Sequence, residues 1–314
     1  RDSSAQDLVE RYRQERDKRL VPNRTAVSEL TGQFGHFLDD PNLPRIERDP
    51  VRREVDVAVI GAGFGGLLLG AKLREIGVER ICLIDVAGDV GGTWYWNRYP
   101  GSMCDIESYI YLPLLEETGY IPTRKYAHAP EIFAYAQRIA DTYDLRRDAL
   151  FHTAVQSARW SEEGACWAVA TDRGDELRAQ FLVTAVGFLS YPKIPALPGL
   201  ERFRGRAFHS ARWDYAYTGG DSESELDRLH DKVVGVVGTG ASAVQCVPPL
   251  ARAAAKLLVF QRTPSTVSVR ANGPTDARWA ASLRPGWQRE RMENFNLLSS
   301  RSEEHMSELQ SRFG

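Results

Sequence analysis

The sequence predicts an α/β protein with two dinucleotide-binding units of the Rossmann type, and three observations carry that prediction. Glu54–Ile60 is a short apolar run of parallel-strand length that passes straight into the glycine turn Gly61-Ala-Gly-Phe-Gly-Gly66. Lys232–Val237 does the same into Gly238-Thr-Gly-Ala-Ser-Ala243. After the first turn come helically spaced residues, Leu67–Ile76, and then a second strand that ends in an acid, Asp85. The length of 314 residues, with 43% hydrophobic and 26% charged side chains, suits two globular domains.

Charge and cysteine usage narrow the classes. Lys and Arg number 40 against 42 Asp and Glu, a net charge of −2, which excludes a nucleic-acid surface or a polybasic membrane anchor. No apolar run approaches the ~18 residues of a bilayer span. Cys82, Cys104, Cys166 and Cys246 lie far apart without a CxxC pair. That spacing excludes a zinc ribbon, a thioredoxin motif and a dense disulfide scaffold, and it fits a reducing cytoplasm. His36, His128, His152 and His230 lack ligand-spaced neighbours, so no metal is expected. No Ser/His/Asp or Cys/His pairing stands out, and no protein partner is predicted.

In chain order, residues 1–50 are polar and read as an extension or helical arm, with weak helical patterning at Leu8–Tyr12 and a turn-rich Asp39-Asp40-Pro41-Asn42. Residues 51–195 form the first part of one nucleotide domain. Within it Gly77 sits where a helix stop belongs, and Ile81–Asp85 is the second strand. Pro130–Thr142 reads as a helix, and Cys166–Thr171 and Gln180–Ala185 as strands. The run Tyr191-Pro-Lys-Ile-Pro-Ala-Leu-Pro-Gly199 looks like a connector. Residues 196–300 form the second nucleotide domain, in part, with Leu257–Phe260 as its next strand.

The glycines have separate tasks. Gly61 permits the tight turn, Gly63 lets backbone approach a pyrophosphate, and Gly66 allows close helix–strand packing. The phosphates then meet the helix N-terminus, and Asp85 accepts from ribose hydroxyls. In the second unit Gly238, Gly240 and Ala243 play these parts. Its next strand ends in Gln261-Arg262-Thr263, where an arginine can pair with a 2′-phosphate that an acid would repel. A solvated surface arginine is the competing reading. The acid in one unit and the arginine in the other point to FAD first and NADP second.

Between the units lies Phe203-Arg-Gly-Arg-Ala-Phe-His-Ser-Ala-Arg-Trp-Asp214, which reads FxGxxxHxxxWD. It resembles the signature of Baeyer–Villiger monooxygenases, class B flavoprotein monooxygenases. Gly91-Gly-Thr-Trp-Tyr-Trp-Asn-Arg-Tyr-Pro-Gly101, Cys104-Asp-Ile-Glu-Ser108 and Val259-Phe-Gln-Arg-Thr-Pro264 are similar to the same family. Flavin-containing and N-hydroxylating relatives usually carry Phe or Tyr where Trp213 stands. The arm and Pro285-Gly-Trp-Gln-Arg-Glu-Arg291 resemble the subgroup acting on large cyclic ketones and steroids.

The resemblance implies an NADPH- and O2-dependent enzyme that converts ketones to esters or lactones through a C4a-peroxyflavin. It implies an FAD domain with an NADP domain inserted in it. The ADP half of FAD would lie on Gly61, Gly63, Gly66 and Asp85, with Val155 at adenine. Thr93, Trp94, Tyr95, Trp96 and Tyr111 would line the flavin. Asp105, the one catalytic candidate, would help to position an arginine, with a helix cap as the competing reading. Likewise the Trp94–Tyr99 aromatics could be plain core. Met103 and Cys104 would flank the NADP path. Gly238, Thr239, Gly240, Ala241, Ser242, Ala243 and Val244 would hold its pyrophosphate, and Arg262 and Thr263 its 2′-phosphate. Phe203, Gly205, His209, Trp213 and Asp214 form the fingerprint, with His209 as a hinge rather than an acid or base. Alternatives are an N- or S-oxygenating flavin monooxygenase, an NADPH:acceptor reductase, or a non-catalytic FAD/NADP-binding module.

Two features point to a fragment. Arg301–Ser311 matches RSEEHTSELQS, the translation of a sequencing adapter, at ten of eleven positions, so residues 301–314 are expected to be an artefact. Only 51 residues follow Thr263, whereas the family's catalytic arginine lies a hundred or more further on. None of Arg270, Arg278, Arg284, Arg289 or Arg291 takes that role. The FAD domain is therefore expected to be incomplete and this chain inactive by itself.

Overall fold

The computed structural model describes residues 5–18, 20, 27–262, 267 and 269–299. Thr263 and the adapter-like tail lie outside the described residues. Two compact units emerge, the smaller from residues 1–39 and 191–209, the larger from residues 40–190 and 210–314. The smaller unit contains α1 (Ala5–Asp17) and two short 3-10 turns, Gly32–Leu38 and Leu200–Arg202. An antiparallel bridge between Val27 and Pro195 ties its two stretches, with the Ser28 N–H on the Ile194 carbonyl at 2.8 Å.

The larger unit is built on a five-stranded sheet. Strand β1 (Arg52–Ile60) is flanked by β2 (Ile81–Ile84) and, across the chain, by β5 (Glu176–Thr184), both parallel to it. Strands β3 (Val155–Ser161) and β4 (Cys166–Thr171) add antiparallel neighbours, giving the order β2-β1-β5-β4-β3. Both faces of β1 are covered. Val57 and Val59 pack with Leu67, Ala71, Ile132 and Ile139, while Val55 and Ala58 pack with Ile84, Leu177 and Ala179. A strand buried on both sides has no polar face to alternate with, which is why it reads as a nearly continuous apolar run.

Helix α2 (Phe64–Glu75) follows the first glycine turn, and its end is set by Gly77. At φ +88° Gly77 closes the helix, its N–H on the Arg74 carbonyl (3.0 Å) and that of Val78 on Leu73 (2.9 Å). Those two bonds are the Schellman closure that a glycine permits. Next come the short turns α3 (Thr93–Trp96) and α4 (Ser108–Tyr111), then α5 (Ala129–Thr142), which packs on α2.

The second nucleotide unit is β6 (Val233–Val237), α7 (Ala241–Ala253) and β7 (Lys256–Phe260), with α6 (Tyr215–Thr218) before it. Strands β6 and β7 pair in parallel. The described sheet here has two strands, and Val237 (61%) and Phe260 (56%) stay exposed despite their apolar character. Helices α8 (Ala277–Ser282) and α9 (Trp287–Ser299) complete the described chain, and α9 packs on α4. Among the described residues no helix is long and apolar enough to cross a membrane, and no cluster of His, Cys, Asp and Glu could hold a metal.

Candidate cofactor site

A cavity of about 460 Å3 opens at the carboxyl ends of β1, β2 and β5, where a parallel sheet of this kind places its ligands. Its floor is the first glycine turn. Gly61 (φ +107°) leaves β1 with its N–H on the Ile84 carbonyl at 2.8 Å. A Cβ on Gly61 would lie 2.6 Å from the Ala185 carbonyl oxygen, and one on Gly66 only 2.0 Å from the Gly61 oxygen. These glycines exist because backbone meets backbone there. Gly63, Phe64 and Gly65 bring the N-terminus of α2 to the cavity, so its free N–H groups and positive dipole end face whatever enters.

Asp85 ties this turn to the next loop. Its carboxylate accepts from the Ala62 N–H at 2.6 Å and the Ala87 N–H at 2.8 Å. Burial pushes the carboxyl above its ordinary value, and those N–H donors oppose the shift. The opposite wall is Gly91, Gly92, Thr93, Trp94, Trp96 and Tyr111. Trp94 Nε1 donates to the Tyr111 hydroxyl at 2.9 Å, and burial raises that phenol. Trp96 is buried at 3% exposure, carries the Arg212 guanidinium 3.6 Å over its ring, and leaves its own Nε1 without a hydrogen-bond partner. Burial lowers Arg212 to about 10.

Within the four-residue turn α3, Tyr95 points away from the cavity. It is fully buried against Trp96 and Phe133, with its hydroxyl on Asp40 at 2.5 Å. Thr153 lines the cavity, whereas Val155, two residues on, begins β3 and packs on the core behind it. Met103 and Cys104 sit beside the second unit. Gln245 of α7 accepts from the Tyr99 hydroxyl (2.9 Å) and the Met103 N–H (3.3 Å), and donates to the Met103 carbonyl (3.0 Å). Burial drives the Cys104 thiol up to about 12, so it stays protonated. Asp105 is exposed, and its carbonyl accepts from Arg270.

The second turn repeats the first with more room. Gly238 (φ +106°) donates its N–H to the Phe260 carbonyl at 2.9 Å, and Gly240 precedes α7. A Cβ on either would meet nothing within 4 Å. Ala241, Ser242, Ala243 and Val244 form the first turn of α7, Gln261 donates to the Thr239 hydroxyl at 3.0 Å, and Arg262 is exposed just past β7. The fingerprint is divided. Phe203, Gly205 and His209 belong to the smaller unit, where Phe203 and Gly205 help line a cavity of about 240 Å3. Trp213 is buried in the larger unit with Nε1 on Thr218 at 3.1 Å, and Asp214 caps α6 by accepting from Tyr217 N.

Sequence reasoning missed Asp40, Thr153, Ser190, Arg212 and Gln245. Their positions depend on partners far away in sequence, and no local pattern marks them. The residues that are present fit a dinucleotide. A glycine turn packed backbone against backbone, a helix N-terminus for anionic phosphates and an acid beyond the next strand meet at one cavity.

Comparison with known proteins agrees. The family of flavin-binding monooxygenase-like proteins matches residues 54–277. Neopentalenolactone D synthase of Streptomyces avermitilis is 58% identical over 293 residues, 92% of this chain and 49% of that protein. A Baeyer–Villiger monooxygenase of Streptomyces coelicolor is 53% identical, over 92% of this chain and 48% of its own. The solved polycyclic ketone monooxygenase of Thermothelomyces thermophila superposes with a TM-score of 0.85 at 42% identity, covering 92% of this chain and 50% of that one. A crystal structure of OTEMO in complex with FAD and NADP aligns at TM-score 0.67 and 36% identity, over 76% of this chain and 44% of that one. The chain spans about half the length of the curated relatives it matches.

Proposed function

The chain belongs to the flavin-binding monooxygenase-like family, and from that premise we propose that the whole protein is an NADPH- and O2-dependent Baeyer–Villiger monooxygenase. It would convert a small-molecule ketone to an ester or lactone in the cytoplasm. The observation that carries this reading is the cavity at the first glycine turn, joined through Gln245 to a second glycine turn of the same design. FAD and NADP are the family's cofactors. When bound, FAD supplies the electron transfer and O2 activation that amino-acid side chains cannot.

The chain's own residues then have binding and orienting tasks. Gly61 and Gly63 admit a pyrophosphate to the N-terminus of α2, and Asp85 stands at the ribose while holding Ala62 and Ala87 in place. Trp94, Trp96 and Tyr111 form an aromatic wall that excludes water from the reactive end. Gly238 to Val244 take the second pyrophosphate, and Arg262 and Thr263 its 2′-phosphate. Asp105, whose backbone carbonyl accepts from Arg270, would help to position the catalytic arginine of the whole protein. The cytoplasmic placement rests on four buried cysteines, all unpaired.

The test is to incubate the complete protein with NADPH, O2 and a panel of cyclic and polycyclic ketones. Ester or lactone should appear with stoichiometric NADPH loss. Oxygenation of amines or sulfides with no ester from any ketone would overturn the reading.

A further inference from the structure

Asp40 lies outside the cavity, yet three of the cavity's wall segments converge on its carboxylate. One oxygen, Oδ2, accepts from the Tyr95 hydroxyl (2.5 Å), the Gly88 N–H (3.2 Å) and faces His152 Nε2 (2.9 Å). The other, Oδ1, accepts from the Asn42 N–H at 2.9 Å, and the Asn42 side chain donates to the Tyr95 carbonyl at 3.2 Å. Each donor belongs to a different part of the wall. Gly88 sits in the loop that presents Asp85, Val86, Gly91 and Gly92. Tyr95 sits in the turn that presents Thr93, Trp94 and Trp96, and His152 precedes Thr153.

Two independent features show that the convergence is built. A Cβ on Gly88 would lie 2.6 Å from the Tyr95 hydroxyl and 2.7 Å from the His152 ring, so the cluster closes only around a glycine. His152 holds a left-handed backbone (φ +48°), a conformation that costs a non-glycine residue about 1 kcal/mol. Its N–H on the Ala87 carbonyl at 2.8 Å, together with the Asp40 contact, keeps it there. The Asp40 and His152 side chains are both about nine-tenths buried. Burial, and after it Asp40, hold the Tyr95 hydroxyl above its ordinary value, so it remains a donor.

We propose that Asp40 is a positioning residue for the flavin site: its buried carboxylate buckles the 85–92 loop, the α3 turn and the 152–153 segment into one wall. The inference rests on the reading that this cavity takes FAD, and the experiment keeps the two apart. In the complete protein, Asp40→Asn, Asp40→Ala, Tyr95→Phe, His152→Ala and His152→Gln are compared with Val169→Ala, a core deletion in the cluster behind the sheet. Hydrogen exchange of the ligand-free protein reads the wall itself, and flavin titration with visible circular dichroism reads the cofactor.

Asp40→Ala should speed exchange across 86–96, weaken FAD about tenfold and change the flavin's dichroic band. His152→Gln, which keeps a donor, should recover most of what His152→Ala loses. The Asp40→Asn and Tyr95→Phe losses should combine less than additively. Val169→Ala should lower the melting temperature and leave the band and FAD affinity unchanged. Wild-type protein that binds no FAD would overturn the functional reading while the exchange data still judge the buckle. Unchanged exchange at 86–96 in Asp40→Ala, or the same spectral change in Val169→Ala, would overturn the buckle.

Discussion

The same substitution, glycine to alanine, should act by opposite routes at two positions three residues apart. At Gly66 the new Cβ would lie 2.0 Å from the Gly61 oxygen and 3.1 Å from its carbonyl carbon. That is about 1 Å inside any tolerable contact, and the obstacle is backbone. The Gly61 turn cannot retreat freely, because its N–H is bound to the Ile84 carbonyl and it lies so near the Ala185 backbone that even a Cβ there would come within 2.6 Å of the Ala185 oxygen. Overpacking against a fixed backbone costs about 3 kcal/mol, which lowers the melting temperature by about 5 °C in a chain of this size. At Gly63 the new Cβ would make only ordinary contact with the Gly92 backbone, its Cα at 3.5 Å and its N at 3.9 Å, and the backbone there (φ −75°, ψ −172°) suits any residue. Gly63→Ala should therefore melt within about 2 °C of wild type. It should nevertheless bind FAD at least about tenfold more weakly, because the methyl would stand where the proposed pyrophosphate approaches. Calorimetric melting and flavin titration of both variants give the comparison. A Gly66→Ala protein as stable as wild type would refute the packing argument. A Gly63→Ala protein with wild-type FAD affinity would remove the pyrophosphate from this turn.

What could be read from the sequence was whatever local pattern determines. Strand β1, helix α2 and its closure at Gly77 follow from an apolar run, a helical spacing and one glycine, all within 26 residues. Strand β3 escaped because Gln156, Ser157 and Arg159 give an edge strand little apolar signal, and β5 began before the expected Gln180 because Glu176–Arg178 alternate in charge. Helix α9 is weakly patterned. It is held by Gln288, whose side chain donates to the Leu112 carbonyl and accepts from the Leu115 N–H (3.0 Å), and by Arg291 on Glu107. In the site, the glycines and Asp85 were legible for the same local reason. The string Thr93–Trp96 named the wall but not its facing, since only the fold decides that Trp94 and Trp96 look in and Tyr95 looks back. Asp40 was invisible because its donors lie 48, 55 and 112 residues away.

Three further outcomes are expected. Asp175 is buried with Arg48 on both its oxygens (2.6 and 2.7 Å) and Thr171 at 2.7 Å, so its carboxyl is held well below the usual range. Because the folded form releases this proton more readily than the unfolded chain, the stabilisation is complete above about pH 5 and fades as acid protonates the folded carboxylate. Asp175→Asn should cost about 3–5 kcal/mol at neutral pH and flatten the acid limb of a pH–melting profile; an unchanged limb would count against it. Arg262→Ala should weaken NADPH by about 10–100-fold and leave NADH alone, and equal effects on both would remove the 2′-phosphate assignment. Gln245→Ala tests the joint between the two nucleotide turns. Its side chain fixes Tyr99 and both backbone groups of Met103, and a Cβ on Gly101 would lie 2.6 Å from the Gln245 carbonyl, so the two units meet with no slack. Neither glycine turn loses a contact of its own when that amide is removed. Each nucleotide should therefore bind within about threefold of wild type, whereas the rate at which NADPH reduces the bound flavin should fall about tenfold or more, because a misplacement near 1 Å is enough for that. Rapid-mixing absorbance at the flavin band measures the rate, and separate titrations measure the two affinities. A rate that falls only in proportion to lost binding would show that Gln245 supports the fold without setting the register of the two sites.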